Sequence, residues 1–316
     1  MNLVYQDPAS QAATDEMQIA GVSLSFSKPL DAALLPPSFQ PFLTHTGPAD
    51  LICTVGGLKP DDAIARMRVA PDDPWVFKRS AEGFEVLRRN RAGHALWRIT
   101  GPDPFESATV LWHPELFTKS YGWFERTLGQ GIGLVLLTLR LLTHRGFILH
   151  ATAAEVGGAG ILCAGVSGRG KSTLARLLDG AGVTVLSDER PVVRQWPLPG
   201  TGAEPSPPAF RVHGSPWPSS ANMYRNAQAP LRRIYFIEHG SENRITPLDP
   251  AAALRRLIPV TMVPWQAPAL LDSLLETIEA LVTGIPCAVF SFRPDPDAVT
   301  AIRDDLAQEA PCSASR

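Results

Sequence analysis

The sequence predicts an α/β chain: a mixed, largely parallel core sheet flanked by helices, preceded by a smaller α+β domain. Three observations carry this. From Phe147 onward, short apolar runs alternate with stretches of helical period. A glycine-rich turn, Gly165 to Gly170, separates one such run from the helical stretch after it. Before Trp112 the chain shows short runs of alternating apolar and polar residues, broken by turn residues. The expected organisation is a flexible N-terminus over 1–18, the α+β domain over 19–120, a linking helical region over 121–146, the larger domain over 147–310 and a flexible tail over 311–316.

In chain order, Val22–Phe26, Phe84–Leu87 and Ala95–Ile99 alternate and predict strands, and Asp61–Met67 predicts a helical turn. Trp123 to Arg145 places Leu128, Ile132, Val135, Leu136, Leu139 and Leu142 at helical spacing, with Gly146 as C-cap. Phe147–Val156 predicts one strand, ending in the turn Gly157–Gly160, and Ile161–Ala164 a short strand buried on both faces. Ser172–Leu178 is a helix and Val183–Ser187 a strand, which makes strand, loop, helix, strand. A proline-rich loop covers Pro197–Pro208, and Arg233–Glu238 is another buried strand. Helices follow at Pro250–Leu257 and Pro268–Val282, then a strand at Cys287–Phe292 and a closing helix at Pro296–Gln308.

Composition narrows the function classes. Hydrophobic residues make up 45% of the 316, enough for a substantial core. The net charge is -2 and the pI about 6.4, which gives no global pull toward nucleic acid or an anionic membrane. The longest apolar stretch, Ile132 to Leu142, is too short to span a bilayer. The N-terminus lacks the basic and apolar regions of a signal peptide, and the four cysteines stand far apart without metal-ligand spacing, so a reducing cytoplasm is expected.

Gly165-Val-Ser-Gly-Arg-Gly170-Lys171-Ser172 matches G-x-x-x-x-G-K-[ST], the phosphate-binding loop pattern. The glycines let the backbone wrap closely around phosphates, so that the amides of Gly165, Ser167, Gly168, Arg169, Gly170, Lys171, Ser172 and Thr173 form an anion nest at a helix N-terminus. Lys171 reaches the β- and γ-phosphates, and Ser172 offers its hydroxyl to Mg²⁺. Only five of the 29 basic residues are lysines, and Lys171 is the one lysine after Lys119, so a chain that otherwise uses arginine has a lysine here.

Asp188-Glu189 closes the next strand, 17 residues after Lys171, at the sheet edge where ligands gather. One carboxylate can hold Mg²⁺ and the other can take a proton from an attacking hydroxyl; the alternative is an acidic turn paired with Arg190. His150, on the preceding strand, either tunes that base or is a core histidine bonded to backbone. Arg211 either neutralises transition-state charge and grips the acceptor, or is a surface arginine.

Together these residues resemble the HPr kinase/phosphorylase family, related to the phosphoenolpyruvate carboxykinases, over about residues 120 to 295. The resemblance rests on Phe147-Ile-Leu-His150-Ala, the loop Gly165–Thr173, Leu186-Ser-Asp188-Glu189 close behind it, Gly214-Ser-Pro-Trp217, and Ala229–Glu238. It implies a P-loop carboxykinase-like core and an ATP- and Mg²⁺-dependent kinase acting on a serine-type hydroxyl of a protein or peptide. Lys171 and the loop would bind the phosphates, Ser172 and Asp188 the Mg²⁺, and Glu189 would be the base. Homo-oligomers are common in that family. Glu189 stands where HPr kinases commonly carry a second aspartate, and Phe210–Gly214 replaces their Glu-Ile-Arg-Gly block. The other reading is a nucleotide-binding accessory protein of a peptide-maturation pathway with little turnover, which would need Lys171 but tolerate loss of Glu189.

Overall fold

The computed structural model describes residues 16–28, 30, 35–44, 48–58, 75–81, 83–90, 95–113, 131–196, 209–263 and 268–309. The chain divides into two compact units, Met1–Pro36 with Phe42–Gly133, and Pro37–Pro41 with Leu134–Arg316. No helix among the described residues is long and apolar enough to cross a membrane.

Among the described residues, the first unit contains one eight-stranded sheet. Its strands are β1 (Glu16–Ile19), β2 (Val22–Phe26), β3 (Leu43–Thr44), β4 (Leu51–Gly57), β5 (Trp75–Ser80), β6 (Gly83–Arg89), β7 (Ala95–Gly101) and β8 (Ser107–Trp112). They lie in the order β3-β1-β2-β4-β8-β7-β6-β5. The alternation expected from the sequence is a buried face: Ala95, Trp97 and Ile99 of β7 lie inside with Ala108, Val110 and Trp112 of β8, and Trp97 pairs across to Trp112. The sheet begins earlier than expected. Met17 of β1 is fully buried opposite Leu24, so residues 16–18 belong to the sheet rather than to a flexible end. The helical turn expected at Asp61–Met67 and the proline-rich loop Pro197–Pro208 lie outside the described residues.

The second unit is mixed α/β. It contains α1 (Ile132–Leu142), β9 (Gly146–Ile148), β10 (Ala151–Val156), β11 (Ala159–Ala164), α2 (Lys171–Gly180), β12 (Thr184–Ser187), β13 (Val192–Trp196), β14 (Ala209–His213), β15 (Gln228–His239), β16 (Arg244–Leu248), α3 (Pro250–Leu257), α4 (Pro268–Gly284), β17 (Cys287–Phe292) and α5 (Asp297–Glu309). One sheet path runs β12-β10-β11-β15-β14-β13-β9, and β17 pairs with both β15 and β16. Among the described residues, β11 with β15 and β15 with β17 are parallel, and the other pairings in this unit are antiparallel. The sheet is therefore mixed but not largely parallel. Gly157 and Gly158, with φ of 58° and 85°, close a two-residue hairpin that returns β11 against β10. The crossover through α2 then lands β12 beyond β10, parallel to β11 with one strand between them.

Two local expectations change. Phe147–Val156 is two strands, because β9 pairs with β13 while β10 pairs with β11 and β12, and the chain breaks at Leu149-His150 to change partners. Gly146 starts β9 and is not a cap; Arg145 takes the left-handed turn, with φ of 46°. Gly146 is needed for space, since a Cβ there would stand 2.6 Å from Arg194 Cγ.

The core under the loop strand joins Leu174, Ala175 and Leu178 of α2 to Cys163, Tyr235, Ile237, Phe290 and Phe292 of the strands and to Val299 and Ile302 of α5. A polar bolt crosses this layer. Asp305 of α5 accepts Arg233 Nε (2.9 Å), Arg233 Nη2 (3.0 Å) and Tyr235 Oη–H (2.7 Å). The bonded carboxylate and burial together push the Tyr235 phenol up, with burial the larger cause. Asp305→Ala removes all three of these hydrogen bonds and is expected to cost about 1–3 kcal/mol, read from urea unfolding. Arg232 is exposed, whereas Arg233 is part of this structural pair.

His213 supplies a pH dependence. It is buried on β14 near Arg194 and Arg211, and burial first, then the two guanidiniums, pull its pKa down to about 3. The unfolded chain takes this proton near pH 6.5, the native protein only near 3. Stability is therefore complete above pH 6.5 and falls as pH drops, by up to about 1.4 kcal/mol per unit. His213→Gln is expected to flatten the fall in urea midpoint between pH 7 and pH 5.

Candidate functional site

The parallel strands β11 and β15 place Ala164 beside Phe236, and β17 pairs His239 of β15 with Phe292. The ends of β11, β12, β15 and β17 and the start of β10 therefore share one edge, and the loop 165–170 springs from it. Gly168 and Gly170 adopt φ of 82° and 93°, the left-handed region. At Gly170 a Cβ would also lie 2.8 Å from Phe292 Cζ, so glycine is required there for two reasons. Gly170 is the N-cap of α2, and no side chain caps that end, which leaves the first amides of the helix for an anion. Gly165 and Gly170 are half-buried, while Ser167, Gly168, Arg169 and Thr173 are exposed.

Lys171 is 6% exposed and donates from Nζ to the carbonyls of Gly165 (2.7 Å) and Val166 (3.2 Å). Burial lowers its pKa, against an opposing pull from Glu189. The ammonium is thus folded back onto its own loop. Thr152 of β10 donates its hydroxyl to the Lys171 carbonyl at 3.4 Å.

His150 and Glu189 come together as the sequence allowed. His150 Nδ1 lies 3.1 Å from Glu189 Oε1, with the side chains 30% and 22% exposed. The break between β9 and β10 that frees His150 is closed by backbone: His150 N–H donates to Val260 O, and Ala151 N–H donates to Glu189 O. Burial and then Lys171 hold the His150 imidazole below its usual pKa, with Glu189 working against them. The arrangement is a largely neutral imidazole and a carboxylate, in hydrogen-bond contact, beside a lysine at a helix N-terminus. It can bind an oxyanion on the loop and accept a proton next to it.

Asp188 is turned elsewhere. It is fully buried, and Ser219 donates to both of its oxygens, from N–H to Oδ1 at 2.9 Å and from Oγ–H to Oδ2 at 2.8 Å. Arg190 lies 3.8 Å from Glu189 and donates to Met262 Sδ. Arg211 is not brought to the loop. It stands opposite Arg194 and Pro230, with its guanidinium carbon 4.9 Å from the centre of the Trp196 ring. Pro230 lies at the start of β11's partner segment, the end of the sheet away from the loop. Glu238 accepts from Arg256 at 2.6 Å, a strand-terminal ion pair.

Two residues at this edge were missed by the sequence reading. His239 Nε2 lies 2.9 Å from the Gly168 carbonyl, and its ring stacks on Phe292. Its place at the end of a strand parallel to the loop strand was the available signal. Ser219 had none, since it sits 31 residues beyond Asp188 in an irregular segment.

The Mg²⁺ that the resemblance implies finds one fitting oxygen donor, Ser172 Oγ, half-buried on the first turn of α2. Glu189 Oε1 already meets His150 Nδ1. Asp188 does not fit, because its oxygens are already bonded. Among the described residues there is no cluster of three or more His, Cys, Asp or Glu side chains suited to a metal ion. Compared with known proteins, the chain matches no family model, and no curated protein is similar to it.

Proposed function

We propose that this chain is an ATP- and Mg²⁺-dependent kinase with an HPr kinase-like, P-loop second unit, transferring the γ-phosphate to a serine-type hydroxyl of a protein or peptide. The observation that carries the reading is the Glu189–His150 pair held beside Lys171 at an uncapped helix N-terminus. The choice of a serine-type acceptor comes from the resemblance of Phe147–Ala151, Gly165–Thr173 and Leu186–Glu189 to that family.

The chain's own groups would divide the work as follows. The amides from Ser167 to Thr173 orient the phosphates in line with the acceptor. Lys171 leaves the Gly165 and Val166 carbonyls and neutralises charge on the transferred group. Glu189 takes the acceptor's proton as its oxygen bonds to phosphorus and the bond to the leaving diphosphate breaks. His150 holds the carboxylate in place through Nδ1. Bound Mg²⁺, with Ser172 Oγ as the donor this chain would offer it, would supply charge neutralisation at the phosphates.

The test is label transfer from γ-labelled ATP with Mg²⁺ to a panel of serine-containing proteins and peptides, HPr included. Transfer by the wild type that is lost in Lys171→Ala and Glu189→Gln supports the kinase. Nucleotide bound by the wild type and by Glu189→Gln but not by Lys171→Ala, with no acceptor labelled, supports the accessory protein. If the wild type binds no nucleotide, both readings fail.

A further inference from the structure

We propose that Asp188 is a positioning residue, a clasp that fixes the segment 214–225 against the end of β12, and not a ligand of Mg²⁺. Two backbone hydrogen bonds, which together form one bridge, and the packing of Gly214 place that segment there. Asp188 N–H donates to Met223 O at 3.2 Å, Arg225 N–H donates to Leu186 O at 2.9 Å, and Ser187 bridges to Tyr224. Gly214 is packed so tightly that a Cβ would lie 1.9 Å from Arg225 O and 2.5 Å from Leu186 O. The segment thus meets the end of β12 through one isolated bridge, and the carboxylate of Asp188 locks it there, taking both donors of Ser219.

The lock has a purpose at the site. Asp188 and Glu189 are neighbours facing different partners: Asp188 faces Ser219, and Glu189 faces His150. Fixing Asp188 from one side fixes the direction in which the next residue presents its carboxylate. Ser187 assists, because its Oγ accepts from Arg190 N–H at 3.1 Å and tightens the turn through Glu189. A metal ligand, by contrast, needs an oxygen open to the ion, and Asp188 is fully buried among protein donors.

The clasp is also braced from outside. Trp217, two residues before Ser219, meets Phe39 edge to face at 5.6 Å, and Asn226 Nδ2 donates to the Pro41 carbonyl at 3.0 Å. Both partners lie in Pro37–Pro41, the short piece of early chain that belongs to the second unit.

The metal part of this inference rests on the nucleotide reading above; the clasp does not. The variants Asp188→Asn, Asp188→Ala, Ser219→Ala and the double Asp188→Ala/Ser219→Ala separate the roles. An asparagine can still accept Ser219 N–H on Oδ1 and can donate Nδ2–H to Ser219 Oγ, so the clasp survives without the charge. The Mg²⁺ concentration for half-maximal ATP binding is expected to stay within about twofold of wild type in Asp188→Asn. Asp188→Ala and Ser219→Ala are each expected to lower the thermal midpoint, and the double variant to fall no further than Asp188→Ala. An Asp188→Asn shift of about tenfold or more, equal to that of Asp188→Ala, with Ser219→Ala unchanged, would make Asp188 a metal ligand and overturn the proposal. If the wild type binds no nucleotide, the kinase reading fails and the thermal midpoints alone judge the clasp, which additive losses would sink.

Discussion

Lys171→Ala is expected to abolish nucleotide binding and any phosphate transfer, with a loss on the order of 10²–10³-fold in turnover even where residual binding persists. Lys171 is the buried cation of the loop, and its ammonium is already held between two loop carbonyls. Alanine would remove the charge that balances the phosphates and leave those carbonyls without their donor. The loop backbone should survive, because its left-handed positions are set by Gly168 and Gly170 and not by the lysine. The measurement is titration of Mg·ATP by calorimetry beside a thermal melt. Lost binding with a cooperative melt retained is the expected result, and wild-type affinity would remove the loop from the proposed chemistry.

Glu189→Gln carries the second large effect. The amide keeps the shape of the side chain and can still meet His150 Nδ1, but it cannot accept the acceptor's proton. A fall in kcat of about 10²–10⁴-fold is expected, with little change in ATP affinity. The pH profile gives an independent check. His150 is held below its usual pKa of 6.5 by burial and by Lys171, while Glu189 pulls it upward. The wild-type rate is therefore expected to be flat at neutral pH and to fall on acidification below 6.5, once the imidazole takes its proton. Without Glu189 the remaining influences lower that pKa further, so the acid limb of the residual rate should move to lower pH. A shift to higher pH would mean that the pair does not act together. The same sign holds for stability. The unfolded His150 binds a proton below about 6.5 where the native one resists, so its contribution weakens as pH falls.

Much of this was written locally, and the failures have a common origin. α3 and β17 match the sequence reading at both ends. At α3 the ends are punctuated: Asp249 caps the helix by accepting Ala252 N–H at 2.8 Å, and Pro250 supplies the fixed first position. The loop and helix 165–180 were legible for the same reason, since glycine, lysine and serine at fixed offsets have few other uses. The break at Leu149-His150 was not legible, because nothing in Phe147–Val156 says that its halves pair with different strands. β15 was read six residues too short at its start and end combined. Pro230 argues locally against a strand, yet it sits where β15 leaves β14 for β11. The acidic pair was read as one functional unit because its residues are adjacent. Which way each side chain faces depends on Ser219 and His150, far off in sequence, and only the fold brings them close.

The piece Pro37–Pro41 bears on how this protein can be cut. A fragment begun at residue 121, where the sequence places the end of the first domain, would retain every residue of the loop, the helix and the acidic pair. It would nonetheless lack part of its own wall. Trp217 would lose the edge-on ring of Phe39, which is itself 3% exposed, and Asn226 would lose its carbonyl partner. The gene order and the physical modules of this chain are therefore out of register: five residues encoded within the first module are masonry of the second. Dissection, domain exchange or fusion at that boundary would need to carry them along, as a tethered peptide or a grafted loop.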